Sequence, residues 1–140
     1  MTYAMRKVRT DVPDIGELGP FARCSREQRA QLRRLLTPVP VAAGEVLIEC
    51  GVPPREFGVI ADGEVVVSAP DGTELAVLGP GAIVGELALL QDMPTGARVT
   101  TLTPVVIYVG NRREFQAMLE ISPEIDIYVS HVALARLRAA

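Results

Sequence analysis

The residue types best suited to chemistry gather in one stretch. It reads Gly81-Ala82-Ile83-Val84-Gly85-Glu86-Leu87-Ala88-Leu89-Leu90-Gln91-Asp92-Met93-Pro94-Thr95-Gly96-Ala97-Arg98-Val99. Ile83-Val84 is a strand-like apolar pair that turns at Gly85. Leu87 to Leu90 then form one short apolar helical turn, which Pro94 ends, and Val99 resumes a strand. A glycine turn feeding a short helix leaves free backbone N–H groups at the helix start, where they suit an anion such as phosphate.

Other chemistry is missing from the chain. The only histidine, His131, falls in the middle of the last helical segment, and no serine sits in a Gly-x-Ser-x-Gly elbow. No His/Cys cluster has metal-ligand spacing, and no Walker-type or dinucleotide glycine loop occurs. Cys24 and Cys50 read as small buried hydrophobes rather than a disulfide. The expectation is a binding or interaction module, not an enzyme, with no metal and no catalytic residue.

The Gly85 stretch resembles the phosphate-binding cassette of cyclic-nucleotide-binding domains, the sensor domains of the catabolite activator class and of cyclic-nucleotide-dependent kinases. That pattern runs roughly Phe-Gly-Glu-Leu/Ile-Ala-Leu-Leu, three variable residues, then Pro-Arg-Ser/Thr-Ala-x-Val. Gly85, Glu86, Leu87, Ala88, Leu89, Leu90, Pro94, Ala97 and Val99 match it. Thr95 stands at the arginine position and Gly96 at the following Ser/Thr. The resemblance implies cyclic AMP or cyclic GMP as ligand, with Gly85 and the N–H groups of Leu87 and Ala88 facing the phosphate. Glu86 would accept from the ribose 2′-hydroxyl; the alternative is an acid placed favourably at a helix N-terminus. The absent arginine would have made a desolvated, charge-assisted contact worth ~2–5 kcal/mol. Weak or lost cyclic AMP binding is therefore expected.

Arg98 is the nearest replacement cation. Strand side chains alternate faces. If position 95 points into the pocket, Ala97 and Val99 do as well, and Arg98 points out. A bulge at Gly96 would reverse this parity.

The chain's 140 residues, 49% of them hydrophobic, suffice for one domain with a full core. No apolar run approaches the ~20 residues that span a bilayer. The start has basic residues but no apolar segment of a secretory signal, so a cytoplasmic address is expected. Charge is uneven. Residues 1–40 carry eight basic and four acidic side chains, residues 41–94 one and nine, and residues 95–140 five and four. The acidic middle argues against nucleic acid as a partner of that surface.

The elements around the cassette follow from period and punctuation. Residues 1–13 read as a flexible arm and 14–140 as the domain. Asp14 to Ala22 gives a short helical piece broken by Gly19-Pro20. Ser25-Arg26-Glu27-Gln28 is a capping box for a helix to about Leu36. Ala30, Leu32, Leu35 and Leu36 form its packing face, and Arg26, Arg29, Arg33 and Arg34 read as solvated. Pro38 and Pro40 then stop any helix. Eight Val/Ile-rich runs follow between residues 37 and 110, with Asp62-Gly63 and Asp71-Gly72 as type I′ hairpin signals. Such spacing predicts a mainly β fold, a double-stranded β-helix or jelly-roll barrel. Asn111-Arg112-Arg113-Glu114 caps a further helix with Phe115, Met118 and Leu119 inward. Ser122-Pro123 starts a last one to about Arg138, with Ile125, Tyr128, Val129, Val132 and Leu137 on its apolar side. Short N-terminal helices and two C-terminal helices around a glycine-punctuated barrel extend the resemblance to roughly residues 18–138.

Two functional classes follow. One is a cyclic-nucleotide sensor whose last helix moves with ligand. The other is a domain that keeps the fold and acts through protein contacts. With the chain ending at Ala140, no helix-turn-helix is expected after the barrel. The last helix is short for a dimer coiled coil, so a monomer or weak dimer is expected.

Overall fold

The computed structural model describes residues 12–52, 55–85 and 96–139. Its eight strands are β1 (Thr37–Val41), β2 (Val46–Ile48), β3 (Glu56–Asp62), β4 (Val65–Ser68), β5 (Glu74–Leu78), β6 (Ile83–Val84), β7 (Arg98–Thr101) and β8 (Val105–Asn111). They form two antiparallel four-stranded sheets, ordered β1-β8-β3-β6 and β2-β7-β4-β5. Helix α1 (Arg26–Leu35) precedes the strands, and α2 (Arg112–Ile121) and α3 (Pro123–Ala139) follow them. This is the jelly-roll expected.

Burial explains the sequence pattern. Strands β3 and β8 are apolar on both faces because both faces are covered. Phe57, Val59, Ala61, Val106 and Tyr108 face a core shared with the helices. Ile60, Val105 and Ile107 face the barrel interior with Val41, Val65, Val84 and Val99. Pro38 and Pro40 lie within β1, not before it. Strand β1 is at a sheet edge, where a residue without an N–H is tolerated.

Two turns differ from expectation. Asp62-Gly63 closes no hairpin, because β3 pairs with β6 and β8 while β4 pairs with β5 and β7. It is a corner between sheets. The Glu64 N–H donates to Thr103 Oγ1 at 3.0 Å, and Leu102 N–H donates to the Glu64 carbonyl at 2.9 Å. Asp71-Gly72 does close the β4–β5 hairpin. Its turn is not type I′, since Pro70 precedes Asp71 with φ fixed negative. Gly72 N–H donates to the Ala69 carbonyl at 2.9 Å with Gly72 at φ +90°. That is a three-residue loop with glycine at its left-handed position.

Both capping boxes are formed. Ser25 Oγ accepts from Gln28 N–H at 3.1 Å, and Gln28 Oε1 accepts from Ser25 N–H at 2.8 Å. Asn111 and Glu114 exchange the same pair at 2.8 Å each. Leu32, Leu36, Phe115, Met118, Ile125 and Val129 are buried. Tyr128, expected on the apolar face of α3, is exposed. At about 100° per residue it falls a quarter-turn from Val129. Cys24 is buried, its thiol pushed up by desolvation, but Cys50 is only half-buried.

The N-terminal segment forms two 3-10 turns, Ile15–Glu17 and Gly19–Phe21. Val12 packs on the helical core, and Pro13 accepts from the buried Tyr108 hydroxyl at 3.2 Å. The rest of the expected arm, residues 1–11, lies outside the described residues. Two of the α1 arginines do more than face solvent. Arg29 Nη2 donates to the Ala22 carbonyl at 2.9 Å, and Arg33 forms a bidentate pair with Asp14 at 2.7 and 2.8 Å.

That pair makes the acid stability measurable. The hydrogen bonds from Arg33 hold the Asp14 carboxyl below its usual value. A carboxyl depressed on folding stabilises above its unfolded pKa, and the contribution fades as pH falls through the folded value. With side chains 32% and 49% exposed, the effect is small, about 0.2–1 kcal/mol. Asp14→Asn should lower the urea midpoint slightly at pH 7, and the gap from native should shrink as pH falls below the ordinary aspartate range. A gap that widens in acid would refute this.

Candidate functional site

The site begins at the end of β6. Val84 pairs with Gly58 and Ile83 with Val59, which fixes the exit of β6 against β3. Gly85 then turns at φ +85°. A Cβ there would lie 2.9 Å from the Glu56 carbonyl oxygen and 3.2 Å from Phe57 Cα. Both are backbone atoms that cannot give way, and the left-handed conformation itself disfavours a side chain. Gly85→Ala is expected to cost about 1–3 kcal/mol. The check is a lower urea midpoint at unchanged slope; an unchanged midpoint contradicts it.

Glu86, Leu87, Ala88 and Thr95 lie outside the described residues. Of the expected site residues the structure places Gly85, Gly96, Ala97 and Arg98. Gly96 is exposed and Ala97 half-buried, just before β7. Arg98 opens β7 and is exposed, while Val99 is buried in the barrel interior. From Arg98 onward β7 runs in step against β4, Arg98 opposite Ser68 and Val99 opposite Val67. The irregular step of this sheet on the other side of β7 lies between Val46 and Ile48.

Arg98 has a protein partner. Its Nε donates to Glu49 Oε1 at 2.7 Å, and Cys50 N–H donates to the same oxygen at 3.0 Å. These hydrogen bonds, Arg98 first, hold the Glu49 carboxyl below its ordinary range. Arg98 thus ties the start of β7 to the end of β2.

Beside the Gly85 turn lies a groove of about 380 Å³. Val46, Leu47, Ile48 and Val52 give it an apolar lining, and Glu49, Arg55 and Glu56 add charge. It meets the turn at two points, since Ile48 Cδ1 and the Glu56 carbonyl both approach Gly85. The sequence reading did not single out Glu49, Arg55 or Glu56. The available signal was the Gly51 turn between two apolar runs, which brings its charged flanks together. Thr101, buried behind this region, braces β7: its Oγ1 donates to the Ala42 carbonyl at 2.7 Å and accepts from Glu45 N–H at 2.9 Å. Among the described residues no group of His, Cys, Asp and Glu is arranged to hold a metal, and His131 is an exposed helix residue. No helix among the described residues is long and apolar enough to cross a membrane.

Comparison with known proteins gives this arrangement a context. The chain is 36% identical over 129 residues to the acetyltransferase Pat of Mycolicibacterium smegmatis, a match spanning 90% of this chain and 38% of that protein. The solved cAMP-binding acyltransferase from Mycobacterium smegmatis superposes with a TM-score of 0.71 at 35% identity, over 90% of this chain and 40% of that one. The N-terminal domain of a transcriptional regulator from Streptomyces coelicolor superposes with a TM-score of 0.66 at 33% identity, over 91% of this chain and 94% of that domain. The chain thus spans well under half of the acetyltransferase and nearly all of the isolated regulator domain. The family model described as the cyclic nucleotide-binding domain matches residues 38–122, from the second residue of β1 to the joint between α2 and α3, and the chain belongs to that family.

Proposed function

We propose that the chain is a regulatory domain of the cyclic-nucleotide-binding type whose grip on cyclic AMP is weak or lost, and that it has no catalytic activity of its own. The observation that carries the reading is Thr95 followed by Gly96, where the family motif has arginine and Ser/Thr. Without that arginine the phosphate depends on backbone N–H groups from Gly85 to Ala88, while the acid Glu86 serves the ribose 2′-hydroxyl and not the phosphate. The next cation along the chain, Arg98, is exposed and bonded to Glu49 at 2.7 Å. A phosphate would have to compete with that carboxylate for it. The remaining family positions, Gly85, Leu87, Ala88 and Ala97, would still shape a cyclic-nucleotide pocket. A cytoplasmic monomer or weak dimer, acting without nucleic acid or membrane, fits this reading.

A second reading, an intact sensor of cyclic AMP or cyclic GMP, is favoured by the 35% identity to the cAMP-binding acyltransferase from Mycobacterium smegmatis. Calorimetric titration of the native protein with each nucleotide separates the two. The first reading expects dissociation constants above ~100 μM, which is a binding free energy weaker than about 5.5 kcal/mol. Low-micromolar binding that disappears in Arg98→Ala would establish the sensor and give Arg98 the phosphate.

A further inference from the structure

The capping box of α1 needs only an acceptor at its third residue, and glutamate serves there as well as glutamine. Gln28 carries an amide instead, and the second half of that amide is used far away in sequence. Its Oε1 accepts from Ser25 N–H at 2.8 Å, while its Nε2 donates to the Ile121 carbonyl at 3.0 Å. Only this orientation of the amide satisfies both ends, because a reversed one would set NH₂ against N–H and oxygen against oxygen.

Ile121 is the last residue of α2, and its carbonyl is one of the groups a helix end leaves without an internal partner. The next residue, Ser122, is extended at φ −151° and ψ 133°. It is the whole joint between α2 and α3, since α3 begins at Pro123. Ser122 is buried, and its Oγ accepts from Glu124 N–H at 3.2 Å. Past the joint, α3 is docked on the helical core by Ile125 and Val129, in the cluster that holds Phe21 and Leu18. A helix of 17 residues is about 25 Å long, so a small rotation at Ser122 moves its far end by many ångströms.

We infer that the Gln28 side-chain amide is a two-ended clamp that fixes the α2–α3 joint to the start of α1 and thereby sets the direction of α3. The first turn of α1 and the exit of α2 are held by one planar group. Gln28 is half-buried, accessible enough to release. The clamp opens by losing one hydrogen bond at the joint, after which α3 is retained, among the described residues, by the contacts of Ile125 and Val129.

Gln28→Glu isolates this role. The glutamate keeps the capping box, loses the Nε2 donor, and sets a carboxylate against the negative end of α2. Amide exchange in the full chain should rise about tenfold over residues 125–132, with α1 and β8 within twofold of native. Ser25→Ala should do the reverse, loosening the start of α1 and sparing α3. Gln28→Ala should loosen both. If Gln28→Glu leaves residues 125–132 within twofold of native, or accelerates α1 and β8 as much as α3, the clamp is refuted.

Discussion

Replacing Thr95 with arginine and Gly96 with serine together is expected to strengthen cyclic AMP binding by about 30- to 1000-fold, a gain of ~2–4 kcal/mol. The reason is the low dielectric of a closed phosphate site, where a guanidinium bonded in a fork is worth far more than an exposed charge. The rest of the motif, from Gly85 through Leu90 and again at Pro94 and Ala97, already stands in the sequence. Thr95→Lys should recover less, because an ammonium offers a point charge without the planar fork. Arg98→Ala should leave the weak binding of the native protein unchanged, since the exposed Arg98 is already bonded to Glu49 at 2.7 Å. Calorimetry on the four proteins decides the matter. A double variant that binds no better than native would mean that the turn beyond Gly85 no longer presents its N–H groups. Native binding that Arg98→Ala abolishes would overturn the weak-binding reading itself.

The largest loss of stability is expected at Phe115. Its ring is fully buried and meets Phe57 edge-on, with centroids 5.0 Å apart and planes at 66°. Phe57 belongs to β3 and Phe115 to α2, so this pair joins the sheet to the helices. The space around it is filled: a Cβ on Gly110 would lie 2.7 Å from Phe57 Cε1 and 2.8 Å from Leu36 Cδ2. Phe115→Ala should cost about 3–5 kcal/mol, transfer and cavity terms together, of which ~0.5–1.5 kcal/mol is the ring pair. That is a large share of the roughly 5–15 kcal/mol total of an ordinary domain. Phe115→Leu should cost about 1.5 kcal/mol, and Phe57→Ala with Phe115→Ala less than the sum of the two. Urea unfolding followed by circular dichroism measures all four. A loss under ~1 kcal/mol for Phe115→Ala would show that the helices do not depend on this contact.

Local chemistry was legible in the sequence because it depends on neighbours in the chain. Ser25 with Gln28, Asn111 with Glu114, and Ser122 before Pro123 each specify a helix start three or fewer residues away, and each is formed. The eight apolar runs gave eight strands, and the glycine turn after Ile83-Val84 was recognisable from residue types alone. The alternation of an exposed Arg98 with a buried Val99 likewise follows from strand geometry.

Pairings between distant segments were decided only by the tertiary structure. Asp62-Gly63 looks like a hairpin turn to its neighbours, yet β3 and β4 lie in different sheets, because the jelly roll pairs β3 with β8 across more than forty residues. The partner of Arg98 is Glu49, 49 residues away, and no spacing rule links them. The groove of Val46, Ile48, Glu49 and Glu56 exists because β2 and the start of β3 meet at Gly85. Gln28 reads in the sequence as a cap and nothing more; its bond to Ile121, 93 residues on, exists because α1 and α2 pack side by side. Period and capping are properties of a few consecutive residues and survive without a fold. Register, ion-pair partners and the closure of a groove depend on which surfaces the buried core brings together.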